Sequence, residues 1–121
     1  MNLRAIEIKA FVPSSDFARS KQFYQDLGFT LASDGGGIAY FHLGESSFLL
    51  QDGDPDGIAP HFAMHLLVED VDAWHAKLTA AGLADRYATK LTPIVQQPWR
   101  MRDFCIYDPC GVEWRIAQNT D

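Results

Sequence analysis

An aspartate followed twelve residues later by a glycine occurs twice in this chain, at Asp16…Gly28 and at Asp70…Gly82, and this repeat constrains the fold more than any other feature. Each stretch reads as a helix of about three turns, with an acidic N-terminal cap and a left-handed glycine stop. In the second stretch Val71, Trp74, Leu78 and Ala81 recur at helical spacing and give one apolar face. In the first, Phe17, Tyr24 and Leu27 supply the corresponding stripe, with Phe23 beside it. Burying each large side chain of such a face is worth roughly 1.5–3 kcal/mol, so both helices require a sheet to lie on.

A strand candidate precedes each helix. Ile6–Val12 alternates with period two, setting Ile6, Ile8, Ala10 and Val12 against Glu7, Lys9 and Phe11. Ahead of the second helix, Phe62, Met64, Leu66 and Val68 form the apolar face, and His61, Ala63, His65 and Leu67 the other. Three short strands follow the first helix at 29–33, 38–42 and 47–51, punctuated by Asp34-Gly35-Gly36-Gly37 and Gly44-Glu45. In the second half the clear strands are 103–107 and 112–118, joined by Asp108-Pro109-Cys110-Gly111, while 92–99 reads as a Pro-bounded loop ending in Trp99. An acidic linker, Asp52-Gly53-Asp54-Pro55-Asp56-Gly57, divides the halves. The expectation is an α+β chain forming one domain over 1–121. It consists of two tandem βαβββ modules, about 1–54 and 58–121, whose curved eight-stranded mixed sheet surrounds a concave cleft.

Charge narrows the partners. Ten Lys and Arg against sixteen Asp and Glu give a net charge of −6, unlike the basic stripe of a nucleic-acid binder. No apolar run approaches the ~20 residues that span a bilayer, and Met1-Asn2-Leu3-Arg4 opens no signal-peptide core. A cytoplasmic protein, without nucleic-acid or membrane partners, is expected. Two cysteines, Cys105 and Cys110, make no disulfide framework or CxxC motif and are expected as reduced thiols. There is no Gly-x-Ser-x-Gly elbow, phosphate-binding glycine loop or Cys with an evident His partner, so no catalytic residue is assigned.

The duplicated module, the Asp…Phe-Tyr…Leu-Gly-Phe helix and the Asp108-Pro109-Cys110-Gly111 turn together resemble the vicinal oxygen chelate superfamily, over nearly the whole chain. This group includes glyoxalase I, extradiol dioxygenases and fosfomycin- and bleomycin-resistance proteins. The segment Gln97-Pro98-Trp99-Arg100, just ahead of the Asp-Pro turn, is similar to the Gln-Pro-Trp-Gly segment of bleomycin-resistance proteins, with Arg100 in place of the usual glycine. The resemblance implies a homodimer with a cleft completed across subunits. It also implies a protein that sequesters an aromatic or cationic small molecule without metal, cofactor or chemistry. The alternatives are a metal-dependent glyoxalase-like lyase or isomerase or a dioxygenase-related enzyme, and a metal-free enzyme using His61 or His65 as general base.

Metal-using members hold a divalent ion with His and Glu on the concave faces. Aligned on the pre-helix aspartate, those positions fall on Lys9, near Leu49 and on Arg115, and a charged lysine has no lone pair to offer. Only His61 matches a ligand position, so it is the one weak metal candidate and a metal-free cleft is expected. Strand parity instead sends Lys9, Gln51, His61, His65, Glu113 and Arg115 to the concave face as ligand contacts. The bland counterpart is a pair of ion pairs, Lys9 with Glu113 and Arg115 with Glu7, filling the cavity. Trp114 has core parity. Trp99 forms either the wall for a flat ligand or a plug at the module's end, and the resemblance favours the wall.

Overall fold

The structure is a computed structural model that describes all residues, 1–121. Its eight strands divide into two four-stranded mixed sheets, each with the same internal order. In the first, β1 (Phe11–Ser14), β4 (Ser46–Asp52), β3 (Ile38–Leu43) and β2 (Thr30–Gly35) lie side by side, with β1 parallel to β4. In the second the order is β5 (Ala63–Leu67), β8 (Glu113–Asn119), β7 (Met101–Tyr107) and β6 (Val95–Gln97), with β5 parallel to β8. The expected tandem α+β modules are therefore present. The curved surface comes from two sheets that share no ladder.

The repeat maps onto the helices as its caps dictate. Asp16 accepts the backbone N–H of Arg19 at the start of α1 (Phe17–Leu27), and Asp70 accepts that of Ala73 at the start of α2 (Val71–Ala80). Gly28 at φ 126° and Gly82 at φ 60° end the two runs, in backbone that a Cβ disfavours. A short helix, α3 (Leu83–Arg86), follows Gly82 directly. Phe23, Tyr24 and Leu27 of α1 and Val71 and Leu78 of α2 are buried, whereas Phe17 and Trp74 are only partly so.

One core joins both modules. Tyr24 of α1, Phe41 of β3 and Phe48 of β4 pack with Trp114 of β8, with the Phe48 and Trp114 ring centroids 5.2 Å apart. Since side chains alternate across a strand, burying Phe41, Phe48 and Trp114 on the helix side puts Tyr40, Ser47, Leu49, Glu113 and Arg115 on the opposite, concave faces.

Two elements differ from expectation. The first strand begins at Phe11 and not at Ile6, because its pairing with β4 starts at Phe11↔Leu49 and residues before Ala10 have no strand beside them. Met1, Leu3, Ile6 and Ile8 consequently stand 85–109% exposed. The supposed loop before Trp99 contains β6, paired antiparallel with β7 over Val95↔Asp103 to Gln97↔Met101. Trp99 thus sits in a three-residue hairpin turn, Pro98-Trp99-Arg100, and Arg100 adopts φ 62°.

Candidate functional site

On the first concave face, polar side chains close on one another. Glu7 accepts Lys9 Nζ at 2.8 Å, Tyr40 Oη–H at 3.0 Å and the Ser47 hydroxyl. The Lys9 bond chiefly, with those from Ser47 and Tyr40, lowers the Glu7 carboxyl to about 2. Lys9 Nζ also lies 5.0 Å above the Tyr40 ring centroid. Gln51 is half-buried on β4, where it faces Pro13 and Ile38 in register and takes no part in this cluster.

The second concave face centres on β8. Arg115 Nη1 lies 3.1 Å from Asp103 Oδ2, and its Nη2 is 3.8 Å from Glu113 Oε2. Gln97 Nε2 donates to Asp103 Oδ1 at 2.9 Å, and Tyr107 Oη–H donates to Glu113 at 3.3 Å. Burial opposes the charge of Arg115, but its contact with Asp103 and the neighbouring carboxylates outweigh that and raise its pKa. Burial also pushes the Cys105 thiol up, and both cysteines are free. His65 is the lateral neighbour of Arg115 in the β5–β8 register.

The two expected ion pairs, Lys9 with Glu113 and Arg115 with Glu7, do not form. Each cation instead pairs within its own half, because the two sheets are separate and the nearer carboxylates are Glu7 and Asp103. Asp103, buried in the middle of β7, escaped sequence reasoning. Its signal was an acidic residue inside a strand otherwise carrying Phe104, Cys105 and Ile106.

His61 lies outside the fifth strand, closing a 3-10 turn at Ala59–His61 and exposed. Trp99 is 57% exposed at the β6–β7 tip, and β6 and His65's strand are opposite edges of that sheet. The structure therefore brings together His65, Glu113 and Arg115, and leaves Lys9, Gln51, His61 and Trp99 apart from them.

Where the modules meet, a cavity of about 470 Å³ is lined by Glu7, Ile8, Ser47, Met64 and His65 and by the buried aromatics Phe29, Phe48 and Trp114. A second hollow, about 520 Å³, lies along α2 and α3 and includes none of the predicted site residues. The aromatic cavity with adjacent polar faces is the better binding site on chemical grounds.

The donor set does not suit a divalent metal. Nowhere do three His, Cys, Asp or Glu side chains converge as a metal would require, and two of the ligand positions that the resemblance implies hold the cations Lys9 and Arg115.

Residues 8–116 match the family model described as Glyoxalase/Bleomycin resistance protein/Dioxygenase superfamily. No curated protein sequence matches the chain. Among solved structures, a bleomycin-binding protein complexed with bleomycin is similar with 22% identity and a TM-score of 0.80, over 95% of this chain and 99% of that one. TnmS3, an antibiotic binding protein from Streptomyces sp. CB03234, shares 26% identity with a TM-score of 0.78, over 97% and 99% of the two chains. A lactoylglutathione lyase from Agrobacterium tumefaciens shares 17% identity with a TM-score of 0.72, over 97% and 96%.

Proposed function

The chain belongs to the Glyoxalase/Bleomycin resistance protein/Dioxygenase superfamily, and from that premise we propose that it binds and sequesters a flat aromatic or cationic small molecule without metal or chemistry. The observation that carries this reading is the fate of the family's ligand positions. Lys9 is ion-paired with Glu7 and Arg115 with Asp103, so the concave faces offer fixed cations and paired carboxylates in place of a metal-ligating donor set. The likeness to antibiotic-binding proteins supports it, and the net charge of −6 favours a cationic ligand.

The working unit in this reading is a homodimer in the cytoplasm. Exposed Leu3, Ile6 and Ile8 lie on an N-terminal segment with unpaired backbone, and Phe11, Leu67 and Val95 are half-exposed on the sheets. A second copy is the economical cover for such a surface. Trp99 of one subunit then contributes to a cleft that a single chain leaves open.

Titration with bleomycin, followed by quenching of tryptophan emission, tests the reading. Saturable quenching near one ligand per chain, weakened several-fold in Trp99→Ala, is the expected result. Turnover of the ligand, or no quenching by bleomycin or other flat aromatic antibiotics, overturns it.

A further inference from the structure

Asp103 is 1% exposed, and its two oxygens are served by residues of the concave face. Oδ1 accepts Gln97 Nε2, while Oδ2 has Arg115 Nη1 at 3.1 Å in a contact not aligned as a hydrogen bond. A buried carboxylate without its counter-ion is costly, so Asp103 anchors the guanidinium in one position. The rest of the guanidinium stays available, because Arg carries five N–H donors in a rigid fork.

Two residues along β8 stands Glu113. Its Oε2 lies 3.8 Å from Arg115 Nη2, beyond hydrogen-bonding reach, and both side chains are about one-third exposed, at 31% and 33%. Tyr107 occupies the other carboxylate oxygen, Oε1. The concave face thus presents a donor and an acceptor side by side, neither spent on the other.

We infer that Arg115 and Glu113, fixed by Asp103, recognise a neutral amide-type group on the ligand, its carbonyl oxygen accepting from Arg115 and its N–H donating to Glu113. This names the polar end of the ligand and rests on the binding reading above. The neutral group is favoured by its set of donors and acceptors. A ligand carboxylate offers acceptors only and meets Glu113 with like charge, whereas a ligand ammonium is drawn to the carboxylates but offers donors only and leaves Arg115 without an acceptor. An amide satisfies both groups. Asp103 acts through Arg115 as a positioning residue.

Benzamide, benzoate and benzylammonium share one ring and differ only in the group at issue. The experiment titrates each into the full-length protein and follows the Arg115 Nε–Hε resonance by NMR. Benzamide is expected to bind at least about five-fold more tightly than benzoate, the effect of one added hydrogen bond, and to shift the Arg115 resonance where benzylammonium leaves it in place. Glu113→Gln removes the charge that rejects benzoate and should bring benzoate and benzamide within about two-fold of each other. Asp103→Asn, which keeps the bond to Gln97, should erode the preference and broaden the Arg115 signal. Benzoate binding as tightly as benzamide to the wild type overturns the inference, as does a benzamide titration that leaves Arg115 unshifted. Bleomycin quenching reports separately: its absence beside a selective benzamide response removes sequestration and keeps the amide site, and the converse removes only the amide site.

Discussion

The Tyr24 hydroxyl on α1 donates to Asp108 Oδ2 at 2.5 Å, across the boundary between the two modules. Trp114 Nε1 donates in turn to the Tyr24 oxygen at 2.9 Å, and all three residues are buried. Asp108 Oδ1 also takes the backbone N–H groups of Cys110 and Val112, so one carboxylate shapes the Asp-Pro turn and ties it to the first helix. Tyr24→Phe keeps the ring packing but orphans a carboxylate oxygen and an indole N–H. Unsatisfied buried groups cost about 1–3 kcal/mol each, so the variant should lose about 2–6 kcal/mol. Denaturant unfolding checks this, and a loss below about 1 kcal/mol would show that water takes over both groups.

Asp108 also sets a pH dependence. Burial raises its pKa in the fold, and the bonds from Tyr24 and the backbone N–H groups only partly oppose this. A carboxyl raised in the fold holds its proton more tightly there than in the unfolded chain. Its contribution to stability is therefore full below the unfolded value of 3.8 and is lost as pH climbs through the higher folded value. Asp108→Asn lacks that titration. The stability of wild type relative to this variant should fall as pH rises from 4 and then level off. A difference that grows with pH in urea titrations would mean that the carboxylate is stabilised in the fold instead.

Arg100 sits at φ 62°, where the related Gln-Pro-Trp segment carries glycine. Left-handed backbone costs a non-glycine residue roughly 1–2 kcal/mol, and the extra unfolded-state freedom of glycine returns roughly 0.5–1 of that. Arg100→Gly should then gain about 0.5–1 kcal/mol and raise the melting temperature by a few degrees. The turn is otherwise well held: Thr120 N–H donates to the Arg100 carbonyl, and Gln96 Nε2 reaches Gln97 O, Met101 O and Thr120 Oγ1. A fall in melting temperature would show that the Arg100 side chain contributes more than its backbone costs.

The two tryptophans separate surface from core. Trp114 is 2% exposed and bonded to Tyr24, whereas Trp99 is 57% exposed at a hairpin tip. Truncating Trp114 to alanine should cost about 3–5 kcal/mol, and truncating Trp99 less than about 1. Trp99→Ala is expected to change ligand quenching while leaving the melting temperature in place. Comparable destabilisation by both would make the hairpin structural and place the binding surface elsewhere.

These contrasts mark how far the sequence reads. Helix caps, glycine stops and strand parity are local, so the repeat, the core position of Trp114 and the concave position of Arg115 follow from spacing alone. What a strand lies beside is not local. Ile6–Lys9 alternates as well as any strand here but has no neighbour to pair with, and β6 gains its ladder from β7 despite a weak pattern of its own. Partner choice on the concave faces failed for the same reason. Lys9 lies on the unpaired segment ahead of the first sheet and Arg115 in the second sheet, and a buried Asp103 is the nearer partner for Arg115 than Glu7.

The exposed N-terminal segment yields the sharpest test of assembly. Leu3, Ile6 and Ile8 contribute nothing to the core, and β1 begins only at Phe11. Deleting residues 1–6 removes two of these side chains and keeps Glu7, whose bonds to Lys9, Tyr40 and Ser47 hold the first concave face. If a second copy covers the segment, the truncated chain should fold with its helices and core unchanged yet sediment at about 13 kDa, while the full chain of 13.6 kDa runs as a dimer at micromolar concentration. Far-ultraviolet circular dichroism separates failure to fold from failure to assemble. A full-length monomer in light scattering would leave the apolar segment without a partner copy and remove the dimer from the proposed function. A dimer that persists after truncation would place the interface on the sheet faces alone, around Phe11 and Leu67.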